Sequence, residues 1–137
     1  MRKMVIIGLL LALVGGAYLY YYTQYDHRKA IRSAQPDFSL KASEIFDLYD
    51  KDEDAANEKL LGKTVLIQGE VSSISADAGD ASISLVSGGL LGDIVCELNK
   101  DLAGDLTKIQ VGDQLQIKGE CSGKLIDIIF VNCIIQE

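Results

Sequence analysis

Nineteen consecutive residues, Met4 to Tyr22, carry no charge. Wound as a helix at about 1.5 Å per residue they span about 28 Å, close to the hydrocarbon thickness of a bilayer. The polar, basic stretch from Thr23 to Pro36 follows as a linker. Apolar residues at Ala42, Ile45, Phe46 and Tyr49 then form a helical stripe. Ala56 and Leu60, one turn apart, mark a second short helix that Gly62 ends. Beyond Gly62 the period changes to two. Val65, Ile67, Gly69 and Val71 predict a first strand, and Ala81, Ile83 and Leu85 a second, joined by a turn at Asp77-Ala78-Gly79-Asp80. Ile94, Cys96 and Leu98 mark a third. Leu102, Leu106 and Ile109 predict a helix with Asn99 as N-cap. Leu115, Ile117, Gly119 and Cys121 mark a fourth strand. A tight turn at Ser122-Gly123-Lys124 leads to a fifth, Leu125 to Gln136, apolar on both faces.

The division is an N-terminal anchor over residues 1–25, a linker over 26–36 and one domain over 37–137. Tyr18, Tyr20, Tyr21, Tyr22 and Tyr25 cluster at one end of the anchor, where amphipathic rings suit the interface. A cleavable signal peptide is the alternative. Val14-Gly15-Gly16-Ala17 offers a weak cleavage site, but apolar residues continue past it. Lipid attachment needs a cysteine after the apolar run, and the first is Cys96. Basic residues are nearly balanced across the segment: Arg2 and Lys3 before it, Arg28, Lys29 and Arg32 after it. The very short N-terminal tail favours the domain outside the cytoplasm. Gly8, Ala12 and Gly16 recur every fourth residue, spacing that would let two anchors pack as a homodimer.

Helix, three strands, helix, two strands is the order of an OB fold, a mainly β, five-stranded barrel. The barrel order is expected to be 1-2-3-5-4-1. The segment from Gly62 to Val71 echoes that from Gly112 to Cys121, each with a mid-strand glycine where a small barrel must curl. The ligand face of such barrels, on strands two and three, maps to Ser82, Ser84, Val86, Asp93, Val95 and Glu97.

Charge narrows the ligand. The whole chain carries −7, but from Ser33 onward eight lysines face nineteen acids, a net −11. Phosphate backbones are bound largely by cations, so nucleic acid is not expected as a partner. The sole histidine, His27, lies beside the anchor, leaving no imidazole base in the domain and no frame for an enzyme. Asp50-Lys51-Asp52-Glu53-Asp54 starts like a calcium loop but has Ala55 at the required glycine and Leu61 at the required glutamate; it reads as a solvated helix start. Gly88-Gly89-Leu90-Leu91-Gly92 lacks the lysine of a phosphate loop. No metal and no cofactor are expected. The cysteines Cys96, Cys121 and Cys133 contain no C-x-x-C and read first as buried apolar residues. If a disulfide forms, it is expected between Cys96 and Cys133, on adjacent third and fifth strands. With a turn at Ser122–Lys124, Cys133 would lie about 26 Å up the last strand from the partner of Cys121.

Several short motifs in order carry a resemblance: His27-Arg28, Ala55-Ala56-Asn57, Leu61-Gly62-Lys63, Ile67-Gln68-Gly69, Val95-Cys96, Gly112-Asp113, Lys118-Gly119-Glu120-Cys121 with Gly123, and Cys133. Over Pro36 to Ile135 the chain resembles the tRNA-anticodon-like OB-fold family of small bacterial secreted or membrane-anchored proteins. It departs at Lys41, where the pattern has a helix-capping threonine, and in a shorter loop after Cys121. The resemblance implies an OB barrel without a settled activity. With the anchor over residues 4–22 it leads to a non-enzymatic binding module of the cell envelope, held at the periplasmic side of a bacterial inner membrane. Its partner would be a protein or small ligand. The competing expectation is a structural subunit of a membrane complex.

Overall fold

The computed structural model describes residues 1–77, 80–90, 92–99 and 106–136, with backbone alone at residues 2 and 24–30. Helix α1, Arg2–Ser33, is 32 residues long. Residues 3–23 of it are exposed on every side, and Lys3–Thr23 is long and apolar enough to cross a membrane. The tyrosines Tyr18 and Tyr22, one turn apart, stack at 6.2 Å. The polar stretch expected as a linker is helical as far as Ser33. At its end, Ile31 is buried and Lys118, itself buried, donates from Nζ to the carbonyls of Arg32 and Ala34 at 3.0 Å each. A cation there satisfies carbonyls that a helix C-terminus leaves without partners.

The chain then forms β1 (Phe38–Lys41), α2 (Ala42–Lys51), α3 (Glu53–Leu60), β2 (Thr64–Asp77), β3 (Asp80–Leu85), β4 (Ile94–Leu98), a 3-10 turn at Leu106–Lys108, β5 (Gln114–Lys124) and β6 (Ile128–Gln136). Strands β2 to β6 close in the order β2-β3-β4-β6-β5, with β5 pairing back to β2. This is the expected five-stranded barrel and strand order. Of the helix expected between the third and fourth strands, only the 3-10 turn and Ile109 are described; Leu102 lies outside the described residues, as do Ala78 and Gly79 of the first hairpin turn. Strand β1 was not expected. It pairs in parallel with β2, Phe38 opposite Val65 and Lys41 opposite Gln68.

Helix α2 starts at Lys41 without a capping hydroxyl. Glu44 takes over, its carboxylate accepting from the Lys41 N–H at 2.7 Å, half of a capping box. The acidic run serves α3: Asp52 is its N-cap, accepting from the Ala55 N–H at 3.1 Å, and Glu53 and Asp54 fill its first turn. Acids there favour the helix dipole. Ile45 and Tyr49 of α2 and Ala56 and Leu60 of α3 join Val65, Ile67, Ile83, Leu85, Ile94, Ile117 and Phe130 in one core.

Two details of the last hairpin correct the sequence reading. Strand β5 runs through Ser122 and Gly123 to Lys124, so the turn is Leu125–Asp127 and not Ser122–Lys124. Gly123 has φ +109° and sits at an irregularity in the ladder, so a glycine that reads as a turn is a bulge inside the strand. Cys121 therefore pairs with Phe130, three residues from Cys133. The mid-strand glycines also answer to their neighbours. A Cβ on Gly69 would stand 3.1 Å from that of Ala42, and one on Gly119 would strike Cys133 Sγ.

Candidate ligand-binding cleft

Opposite Gly119, β6 carries two residues where β5 has one. Lys118 pairs with Ile134 and Glu120 with Val131, leaving Asn132 and Cys133 across from the glycine. Asn132 takes φ +53°, the described residue other than glycine with a left-handed backbone. Asparagine tolerates this conformation better than most side chains. The bulge turns Val131 and Asn132, consecutive residues, toward one cleft and returns Cys133 to the core. Re-aiming a side chain is what bulges do near binding sites.

That cleft has a volume of about 650 Å³. The bent end of β2 supplies Ser75 and Asp77; β3 supplies Asp80, Ala81 and Ser82; β4 and the residue after it supply Glu97, Leu98 and Asn99. Three carboxylates line it, and no lysine or arginine does so among the described residues. Two backbone features hold its floor. Ser82 pairs directly with Glu97 across β3 and β4, and the Asn99 N–H donates to the Cys133 carbonyl at 3.0 Å.

The six residues expected on the ligand face divide. Ser82 and Glu97 line this cleft. Ser84 and Val95 form a neighbouring pair on the ladder, outside it. Val86 lines a smaller hollow of about 280 Å³ with Lys41, Gln68 and Gln114. Asp93 is a brace: it accepts from Ser72 Oγ at 2.7 Å, and its N–H donates to the Asp127 carboxylate at 2.8 Å. Ser75, Asp77, Asp80, Asn99 and Asn132 were missed. Asn132 alone had a signal, an asparagine inside an apolar strand that disfavours it.

The cysteines are all buried thiols. Cys121 Sγ lies 3.3 Å from the Tyr49 hydroxyl, which also donates to Asn57 Oδ1 at 3.0 Å. Burial first, and then the bond to Cys121, holds the Tyr49 hydroxyl well above its ordinary pKa. Cys133 Sγ donates to the Val131 carbonyl at 3.8 Å; burial first, and then the neighbouring Cys96 thiol, raises the Cys133 thiol pKa well above the usual value. No group of three or more histidine, cysteine or carboxylate side chains among the described residues is placed to hold a metal.

The tRNA_anti-like family profile matches residues 1–135. The chain belongs to the tRNA_anti-like family. Among solved structures, this family member is similar to a "putative nucleic acid-binding lipoprotein" from Klebsiella pneumoniae, at 15% identity and TM-score 0.59, over 80% of this chain and 97% of that one. It also matches an OBody bound to hen egg-white lysozyme at 20% identity and TM-score 0.42, over 58% of this chain and 84% of that one. Asparaginyl-tRNA synthetase from Entamoeba histolytica matches at 17% identity and TM-score 0.42, over 56% of this chain and 21% of the enzyme. No curated protein sequence matches the chain. The tRNA_anti-like protein thus carries the OB-type binding domain that its resemblance implied.

Proposed function

We propose that this tRNA_anti-like protein is a non-enzymatic binding module, anchored by residues 4–22 in a bacterial inner membrane with its barrel on the periplasmic side. Its cleft takes a positively charged, hydrogen-bonding group, carried by a small molecule or a protein. The observation that carries this reading is the lining: Asp77, Asp80 and Glu97 with hydroxyls and amides between them, and no lysine or arginine among the described residues. Such a lining attracts cations and repels phosphates. The Klebsiella protein's description points to nucleic acid instead. Against that stands the domain's −11 charge. Two of its lysines are also engaged with rings: Lys59 lies 5.4 Å from the Phe38 ring and Lys124 5.9 Å from that of Phe46.

The test uses the full-length protein in nanodiscs, titrated with a short lysine-rich peptide and with spermidine. Saturable binding is expected, weakened roughly tenfold, or about 1.4 kcal/mol, by Asp77→Asn with Glu97→Gln. Binding indifferent to both substitutions would overturn the cleft. Protease added to spheroplasts should remove the barrel and leave a membrane-bound stub; full protection would overturn the orientation.

A second reading, a structural subunit of a membrane complex, is favoured by a different feature. Leu90, Leu125 and Ile126 are almost fully exposed on adjoining loops at the end of the barrel. Alanine at all three would release a co-purifying subunit while leaving peptide binding intact.

A further inference from the structure

The strands around the cleft bring their polar side chains into one transverse row. Ser75 of β2 is directly opposite Ser82 of β3, and Ser82 is directly opposite Glu97 of β4. Across the parallel β4–β6 pair, Cys96 is opposite Phe130 and Leu98 opposite Cys133, so Glu97 faces two residues, Val131 and Asn132. Both line the cleft. At strand spacings of about 4.8 Å the row from Ser75 to Asn132 is about 14 Å long, the reach of roughly four residues of extended chain. The bulge is what brings an amide to this row, since simple alternation would turn Asn132 to the other face from Val131. Asn132 holds φ +53°, a conformation that is costly for a side-chain-bearing residue and that clusters at ligand sites. It is half-buried, and its side-chain amide makes no hydrogen bond with another described residue.

We propose that Asn132 determines the specificity of the cleft, reading a peptide group of an extended basic protein segment laid across β2, β3, β4 and β6. This selection rests on the cation-binding cleft proposed above. Carboxylates and hydroxyls can accept every N–H of a polyamine. A polyamine offers no acceptor in return to the Asn132 NH2 group. A peptide group offers both partners: its C=O accepts from Asn132 Nδ2, and its N–H donates to Asn132 Oδ1. Lysine ammoniums of the same segment reach Glu97, opposite Asn132 in the row, and Asp77, two residues along β2 from Ser75. The acids thus attract any cation, and the amide separates a protein segment from a small polyamine.

The full-length protein in nanodiscs is titrated with spermidine and with an end-blocked lysine peptide of the same charge. The peptide is expected to bind more tightly, and Asn132→Gly should narrow that preference roughly fivefold to tenfold. Glycine takes the left-handed conformation without cost, so the Tm of Asn132→Gly should not fall below that of the unsubstituted protein, whereas Asn132→Ala should lower it. Asn132→Asp keeps an acceptor and adds a charge but removes the donor. It should strengthen spermidine binding and narrow the preference as well. A preference unchanged by both Asn132→Gly and Asn132→Asp, or spermidine binding as tightly as the peptide before any substitution, would overturn the role of Asn132 and leave the cleft standing. Failure of both ligands to bind, or binding indifferent to Asp77→Asn with Glu97→Gln, would overturn the cleft itself and this role with it.

Discussion

Gly119 shows how one missing side chain can organise its surroundings. Its Cα faces the bulge of β6, and the space a Cβ would fill is taken by Cys133 Sγ, with the Phe130 Cβ 3.4 Å away. Gly119→Ala should therefore destabilise the barrel by about 1–3 kcal/mol, the usual cost of overpacking. Removing the obstructing sulfur in Gly119→Ala/Cys133→Ala should cost less than the two single losses added together, measurable as a coupling in denaturant unfolding. Additive losses would mean that the strain lies elsewhere. Buried Tyr49 supports a second prediction. Its hydroxyl is held neutral by burial and by Cys121, so its folded pKa lies above the ordinary 10.0. A raised folded pKa favours the native state fully below the ordinary value, and that contribution is lost as pH rises from there through the folded value. Cys133, raised in the same sense from 9.0, adds to the effect. Unfolding free energy should thus decline above about pH 9–10, and Tyr49→Phe should flatten part of the decline.

At the scale of elements, the acidic run Asp50–Asp54 is helix punctuation. Asp52 ends α2 and begins α3, its carboxylate on the Ala55 N–H. Asp52→Ala should cost about 1 kcal/mol of stability, read from a urea midpoint with unchanged slope. Asp50→Ala, which has no such bond to lose, should cost little. The inward alternation of the barrel strands was legible because one face of each is buried: Ile83 and Leu85 on β3, Ile94, Cys96 and Leu98 on β4. The hairpin turn was misplaced because Gly123 has the conformational signature of a turn while sitting in a strand. Strand β1 escaped because four residues show little period, and its parallel partner is 27 positions away at Phe38 and Val65. The cleft was half legible. Ser82 and Glu97 follow from the topology of the barrel, whereas Asp77 and Asn132 enter through the bend of β2 and the bulge of β6, which local periodicity does not encode.

At the scale of the molecule, the apolar segment and the barrel meet through the end of α1. From Thr23 to Ser33 the helix continues for 11 residues, about 16 Å at 1.5 Å per residue. Its last carbonyls are held by Lys118. In the proposed arrangement the barrel stands off the bilayer on this short stalk, with its acid-lined cleft in solution. Of the domain's eight lysines, Lys118 is thereby removed from any ligand-facing surface, and none of those described lines the main cleft. The strands that close the barrel offer no stacking platform either. Between Lys63 and Glu137 the sole aromatic residue is Phe130, fully buried in the core, while single-strand binding draws about 1–3 kcal/mol from each base stacked on an exposed ring. The full-length protein, titrated by fluorescence anisotropy with short single strands and tRNA at ~0.15 M salt, should show no saturation in the micromolar range. Micromolar saturation that weakens steeply with added salt would overturn the exclusion of nucleic acid as a partner.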